Sequence, residues 1–183
     1  MVLTYSKMLD LGSKLPEFEL LNTIDNQLFN SNSLSQDKGK LIMFICNHCP
    51  YVIHYHDQII DITNKYESDI EAVAISSNDA ENYPADSPEK MKELANSLNF
   101  QFPYLYDQTQ EIAKKYKAEC TPEFYLFDQN NKLIYRGRLD DSTPGSNKEI
   151  TGLDLRSAID NYLQGKEIPT KQHPSMGCNI KWK

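Results

Sequence analysis

The sequence predicts an α/β fold with a mixed central β-sheet flanked by helices. Two apolar runs, Leu41–Ile45 and Ile70–Ser76, have the length and composition of buried strands, and a helical pattern separates them. A strand, a helix and a second strand in this order indicate a parallel βαβ unit. A later hairpin over residues 124–135 adds antiparallel strands, so the predicted sheet is mixed.

The N-terminal part of the chain is predicted to form an irregular lead-in and then a hairpin. Residues 1–14 show no regular pattern, whereas residues 18–21 and 27–29 are apolar runs on either side of a turn-rich linker. Residues 31–40 are polar and are predicted to form a loop or one short helical turn. The hairpin is therefore an N-terminal extension of the central sheet.

The helix after the first central strand is predicted to run from Tyr51 to about Tyr66. Its apolar and weakly polar side chains recur roughly on one face, which comprises Val52, Ile53, His56, Ile59, Ile60, Thr63 and Tyr66. An amphipathic helix of this kind covers one side of the sheet.

An insertion is predicted after the second central strand. Residues 78–88 are rich in Asn, Asp, Ser and Pro and indicate a loop. Ser87 as N-cap and Pro88 at the first helical position then begin a helix. A short strand, Tyr104–Tyr106, and a short helix over residues 109–116 follow.

The C-terminal third is predicted to contain the hairpin, a last helix over Leu153–Leu163 and a tail from Pro169 onward. A chain of 183 residues is long enough for one well-buried domain. We expect a single domain over residues 1–183, with its core at about 12–165 and a tail at 166–183.

Charge and hydropathy exclude several classes of partner. The net charge of −7 argues against electrostatic binding to nucleic acids and to anionic membranes. No apolar stretch approaches the ~20 residues that a membrane helix needs. The first residues lack the basic region and apolar core of a signal peptide, so we expect a cytoplasmic protein.

Cys46 and Cys49 form a Cys-x-x-Cys motif between the first central strand and its helix. The free N–H groups and the dipole at a helix N-terminus favour an anion there, and a thiolate is such an anion. A lowered pKa is what makes a cysteine nucleophilic at neutral pH. In a reducing cytosol such a pair is more often catalytic or metal-binding than structural.

Thr121 and Pro122 directly precede a predicted strand over residues 123–128. Together with the strand, Cys-x-x-Cys and helix before them, and the hairpin and last helix after them, they resemble the thioredoxin-like superfamily. The N-terminal hairpin and the insertion resemble its redoxin branch, which includes the alkyl hydroperoxide reductase/thiol-specific antioxidant (AhpC/TSA) proteins. The resemblance covers roughly residues 12–165.

This resemblance implies thiol–disulfide exchange, with Cys46 as the attacking thiol and Cys49 as the resolving thiol. It also implies that Pro122 is cis and packs against the cysteines, and that the backbone of Thr121 pairs with a bound substrate chain. The expected partners are a protein or small-molecule disulfide and a thiol electron donor, without an organic cofactor. We expect Cys46 to lie nearer the solvent and Cys49 to be more shielded.

Other residues near the motif have two readings each. His48 either supplies positive charge that raises the reduction potential above the ~−270 mV of thioredoxin, or is a solvated loop histidine. Cys120 is either a third redox thiol and groove residue or a small buried hydrophobic residue. Cys178 is expected to be a surface thiol of the tail, with the alternative that it folds back to resolve a disulfide.

The motif also departs from thioredoxin. Ile45 stands where thioredoxin has Trp, and Lys40 stands where it has a buried Asp, so no base for Cys49 is identified. His54 and His56 lie on the following helix, and a histidine on an apolar face, such as His56, is more often a core residue than a base.

Three other functions are consistent with parts of the sequence. Peroxiredoxins carry Pro-x-x-x-Thr-x-x-Cys, and aligning that cysteine with Cys49 places Ile42 and Cys46 at the other two positions, which argues against an efficient peroxidase. A copper site of the Sco type would use a distant histidine such as His173, but its cysteines are spaced differently. The third alternative is a binding module without turnover.

Overall fold

The computed structural model describes residues 3–183, which form a seven-stranded mixed sheet, a three-stranded sheet and four α-helices. Short 3-10 helices lie at Ser31–Ser33 and Pro84–Asp86. In chain order the elements are β1 (Leu3–Tyr5), β2 (Glu19–Asn22), β3 (Gln27–Asn30), β4 (Gly39–Phe44), α1 (Pro50–Lys65), β5 (Ile70–Ser76), α2 (Pro88–Ser97), β6 (Tyr104–Tyr106), α3 (Glu111–Tyr116), β7 (Cys120–Thr121), β8 (Glu123–Phe127), β9 (Leu133–Gly137), α4 (Leu153–Leu163) and β10 (Met176–Asn179).

The large sheet has the strand order β3-β2-β6-β5-β4-β8-β9 and confirms the predicted mixed α/β class. Strands β4, β5 and β6 run parallel to one another, and α1 and α2 connect them. The hairpin of β8 and β9 joins β4 in antiparallel orientation, and the hairpin of β2 and β3 joins β6. Both predicted hairpins, the insertion containing α2 and the last helix are confirmed.

Both chain ends carry strands that the sequence analysis did not predict. Strand β10 lies between β1 and β7 in a separate antiparallel sheet, in which Cys178 pairs with Leu3 on one side and with Thr121 on the other. The expected irregular lead-in and tail are therefore wrong at Leu3–Tyr5 and Met176–Asn179, whereas residues 6–14 and 166–175 form no helix or strand; residues 1 and 2 lie outside the described part. The strands have two to four residues, too few to show an alternating pattern.

Strand β4 lies at the centre of the core, and all six of its residues are buried. Helix α1 covers the sheet with Val52, Tyr55, Ile59, Ile62 and Thr63. The predicted face was partly wrong, because the helix is rotated so that Ile53 is 52% exposed and His56 is only half-buried.

No helix within residues 3–183 has the length and apolar character needed to cross a membrane.

Candidate active site

The two motif cysteines lie in the turn between β4 and α1. Cys49 is the N-cap residue of α1, and Pro50 follows at the first helical position. Both cysteines are buried, with 1% of Cys46 and 0% of Cys49 exposed. The expectation that Cys46 is distinctly more exposed than Cys49 is therefore wrong, because both side chains pack beneath the loop that contains Thr121.

The Thr121–Pro122 peptide bond is cis, which confirms the prediction made for Pro122. The sulfur of Cys46 lies 3.4 Å from the hydroxyl of Thr121, and the sulfur of Cys49 lies 3.3 Å from its carbonyl oxygen. Strand β10 pairs with Thr121 through Cys178. The edge of β7 that faces β10, which a substrate chain would otherwise use, is thus occupied by the protein's own chain.

The two sulfurs differ in ionisation, in the opposite sense to the expectation. The pKa of Cys49 falls to about 5, chiefly because Cys46 donates a hydrogen bond to it; burial opposes this effect, and contacts with Cys178, Thr121 and the N–H of Val52 support it. The pKa of Cys46 is raised by the same hydrogen bond, by burial and by the charge of Asp86. Of the two thiols Cys49 is therefore the more acidic, chiefly through its interaction with Cys46, and the shared proton lies on Cys46.

Asp86 is a site residue that the sequence analysis missed. It is fully buried, and its carboxylate accepts hydrogen bonds from the N–H of Asn47 (2.8 Å) and from the side chain of Asn78 (2.7 Å). Asn47 in turn donates to the carbonyl of Ala85 and accepts from the hydroxyl of Tyr104. These bonds hold the turn between the cysteines against the insertion. A single acidic residue in a polar loop has no sequence pattern that would have identified it as a site residue.

His48 contacts this carboxylate. Its Nδ1 atom lies 2.6 Å from Asp86 Oδ2 but lacks hydrogen-bond geometry, so the contact is an ion pair when the ring is protonated. The ring stacks on Tyr83, with an angle of 3° between the planes. The His48 side chain is 26% exposed. It is therefore neither a freely solvated histidine nor an isolated positive charge, because Asp86 offsets the charge it can carry.

Cys120 is fully buried, and its sulfur lies 3.9 Å from Glu123 Oε2. Burial, and next the charge of Glu123, raise the pKa of the Cys120 thiol far above its ordinary value. These facts favour the reading of Cys120 as a small buried residue. The carboxyl group of Glu123 is also buried, and burial raises its pKa to about 7. Glu123 is the one charged residue in an otherwise apolar strand, a signal that could have identified it.

Cys178 is 4% exposed, so the expected surface thiol is wrong. Its sulfur lies 2.8 Å from the sulfur of Cys49. Burial, and next the hydrogen bond with Cys49, raise the pKa of Cys178 to about 12. Strand β10 brings the two sulfurs together across 129 positions of sequence, a contact that spacing alone does not reveal.

Lys40 and His54 have hydrogen-bond partners other than the cysteines. Lys40 donates to the carbonyl of Gln129, and burial lowers its pKa. His54 bonds the hydroxyl of Ser142 at 3.0 Å. His56 remains half-buried, and burial lowers its pKa, as fits a core histidine.

Within the described part of the chain, one cluster has potential metal-ligand atoms that all lie within 4.8 Å of one another, and it comprises Cys46, His48 and Asp86. A thiolate, an imidazole and a carboxylate are ligand types that zinc accepts. His173, the distant ligand considered for copper, does not belong to this cluster.

A cavity of about 280 Å³ lies beside the cis proline. Pro122, Phe124 and Tyr55 form part of its wall, and Arg138 and His173 add polar groups. Neither Cys46 nor Cys49 lines the cavity, so it adjoins the reactive sulfurs rather than containing them.

Comparisons with known proteins identify a family and several similar structures. The family profile described as Redoxin matches residues 10–153. The structure of an uncharacterized conserved protein from Geobacillus kaustophilus is 49% identical, with a TM-score of 0.97 over 100% of this chain and 97% of that one. A hypothetical protein from Sinorhizobium meliloti 1021 is 38% identical, with a TM-score of 0.95 over 98% of each chain.

A more distant structure shares the fold. A secreted disulfide oxidoreductase from Mycobacterium tuberculosis has a TM-score of 0.60 and 14% identity, over 78% of this chain and 94% of that one. A comparison with curated proteins finds no significant match.

Proposed function

The chain belongs to the redoxin family of the thioredoxin-like superfamily, and on that premise we propose that it is a thiol–disulfide oxidoreductase acting through Cys46 and Cys49. One observation carries the proposal. Two thiols lie at the N-terminus of α1, and both contact Thr121 beside a cis proline. A pair that shares one proton has a thiolate available for exchange near neutral pH.

In the first step Cys46 attacks a substrate disulfide, and Cys49 is its base. As the sulfur–sulfur bond from Cys46 to the substrate forms, the Cys46 proton passes to the Cys49 thiolate. The substrate's own disulfide bond breaks, and the electron pair leaves on its departing sulfur. Cys49 thus activates the Cys46 thiol in the way that an adjacent base activates other catalytic nucleophiles.

In the second step Cys49 attacks the Cys46 sulfur of the mixed disulfide. The Cys46–Cys49 bond forms, and the bond to the substrate breaks. The substrate sulfur leaves with the electron pair and takes the proton from Cys49. The substrate is thereby reduced by two electrons, and the motif is oxidised to a disulfide.

The substrate class we propose is a protein or small-molecule disulfide that approaches over the cavity beside Pro122. A second thiol protein or a small thiol would then reduce the Cys46–Cys49 disulfide and complete the cycle. Since that donor must remain reduced, we propose that the protein works in a reducing compartment such as the cytoplasm.

Insulin reduction by dithiothreitol tests the proposal. We expect the wild-type protein and the control Cys120→Ser to accelerate the reaction, whereas Cys46→Ser and Cys49→Ser do not. Cys120 is a matched control, because it is buried near the site but has no role in the two steps. If the wild type did not accelerate the reaction beyond Cys46→Ser, the exchange function would be wrong, and a binding module would be favoured.

A thiol peroxidase is the second candidate. The lowered pKa of Cys49, which is due first to its bond from Cys46, and its N-cap position favour the attack of Cys49 on a peroxide. The attack would give a sulfenic acid and an alcohol or water, and a neighbouring thiol would then form a disulfide with loss of water. Stopped-flow peroxide consumption much faster than that of a free thiol would favour this function over exchange.

A further inference from the structure

We propose that Cys178 is a third redox residue, which exchanges with the Cys46–Cys49 disulfide to form a Cys49–Cys178 disulfide. The inference rests on the proposed function, because it starts from the oxidised motif. Its basis is a contact between two buried sulfurs, those of Cys49 and Cys178, which lie 2.8 Å apart. A disulfide joins sulfurs at about 2.05 Å, so they need to approach by less than about 1 Å.

The fold holds Cys178 in this place from two sides. Strand β10 pairs Cys178 with Leu3 of β1 and with Thr121 of β7. At Gly177 a β-carbon would lie only 2.0 Å from the carbonyl oxygen of Thr121. The residue before Cys178 therefore has to be glycine if β10 is to lie this close to the cis-proline loop.

Both sulfurs also face the first turn of α1. The N–H of Val52 donates to the carbonyl oxygen of Cys49 at 2.9 Å, and the N–H of Tyr51 favours a thiolate on Cys178. Pro50, the first residue of the helix, has no N–H to offer. The first turn of α1 is thus adjacent to both residues that we propose to be bonded.

Oxidation of the motif makes Cys178 more reactive. Besides burial, which is the largest cause, the pKa of Cys178 is raised by its hydrogen bond with Cys49 and by the charge of Cys49. Both of these contributions disappear when Cys49 enters a disulfide, so the Cys178 thiolate becomes easier to form at that stage.

The exchange needs no added oxidant. Cys178 loses its proton, and its sulfur attacks the Cys49 sulfur of the Cys46–Cys49 bond. The Cys49–Cys178 bond forms, the Cys46–Cys49 bond breaks, and the electron pair leaves on Cys46, which takes up a proton. One disulfide replaces another, so no electrons are gained or lost. Cys46 is again a thiol, and the oxidising equivalents lie on the C-terminal strand.

Trypsin distinguishes the two disulfides, because it leaves Cys46 and Cys49 together in the peptide 41–65 and Cys178 in the peptide 172–181. The proteins are oxidised in a glutathione redox buffer, trapped with acid, alkylated, digested and analysed by mass spectrometry. In the wild type and in Cys120→Ser we expect both the internally bridged peptide 41–65 and a linked pair. In Cys46→Ser we expect the linked pair, and in Cys178→Ser only the internal bridge.

Failure of this inference and failure of the proposed function give different results. If folded Cys46→Ser, with native circular dichroism, yields no linked pair while the wild type yields the internal bridge, the role of Cys178 is overturned and the motif is unaffected. If neither the wild type nor Cys178→Ser yields the internal bridge, the proposed function itself is wrong.

Discussion

The carboxylate of Asp86, fully buried, lies 2.6 Å from the imidazole Nδ1 of His48. This pair faces Cys46, because the ligand atoms of all three residues lie within 4.8 Å of one another. Opposite charges placed beside one thiol alter its reduction potential in opposite directions. Whatever stabilises the thiolate stabilises the reduced form and raises the potential.

Asp86→Asn is expected to raise the reduction potential of the Cys46–Cys49 couple. The pKa of Cys46 is raised by its bond to Cys49, by burial and by the Asp86 charge, and the substitution removes the last of these. A shift on the order of 30 mV corresponds to about 1.4 kcal/mol for a two-electron couple. A glutathione redox titration measures it, with the exposed Asp141→Asn as control. An unchanged or lower potential in the folded variant would contradict the role of Asp86.

His48→Phe is expected to lower the same potential, because it removes a ring that can carry positive charge beside Cys46 and leaves the charge of Asp86 in place. Phenylalanine preserves an aromatic ring against Tyr83, so the substitution tests the effect of the histidine charge and keeps the ring stacking. Redox titrations of the variant and the wild type in the same buffer provide the test. An unchanged potential in the folded variant would contradict a role of the His48 charge.

Glu123→Gln is expected to flatten the dependence of stability on pH. Burial raises the pKa of Glu123 from 4.5 in the unfolded reference to about 7. Between these values the folded state binds more protons than the unfolded state, so the wild type loses stability as pH rises through this window. The loss is on the order of 3 kcal/mol, and glutamine, which does not titrate, avoids it.

Urea unfolding between pH 4.5 and 8.5 measures this effect on the free energy of unfolding. The surface change Glu93→Gln is the control, since its ion pair with Lys90 is exposed. Glutamine keeps an oxygen that can accept from the hydroxyl of Tyr125, which bonds Glu123 at 2.8 Å. Parallel pH profiles for the wild type and Glu123→Gln would show that the carboxyl group is not perturbed in the folded state.

Gly177→Ala is expected to displace β10 from the cis-proline loop, because the added methyl group meets the Thr121 carbonyl. Overpacking of this kind costs about 1–3 kcal/mol. The alkylation rate of Cys178 should rise, and the melting temperature should fall. Gly165→Ala is the control, since it has a positive φ of 65° but no neighbour within 4 Å. Equal alkylation rates in Gly177→Ala and the wild type would mean that β10 is held by other contacts.

The sequence was sufficient to predict the central fold but not the surroundings of the cysteines. The buried strands and amphipathic helices have local patterns, and the helix Leu153–Leu163 and the strand Tyr104–Tyr106 were predicted with the observed bounds. Asp86 and Cys178 were not predicted as site residues, since each reaches the motif through tertiary packing. Which sulfur ionises depends chiefly on the interaction between Cys46 and Cys49 in the folded protein, and the Cys-x-x-Cys spacing does not specify its direction.

The central claim is that Cys46 and Cys49 share one proton, with the charge on Cys49. Ultraviolet titration of thiolate absorbance in the reduced protein tests it most directly. We expect a first thiolate with a midpoint near pH 5, where the pKa of Cys49 is set chiefly by the hydrogen bond from Cys46. That midpoint should be absent in Cys49→Ser and should move to higher pH in Cys46→Ser. A wild-type protein that forms no thiolate below pH 8 would contradict the account.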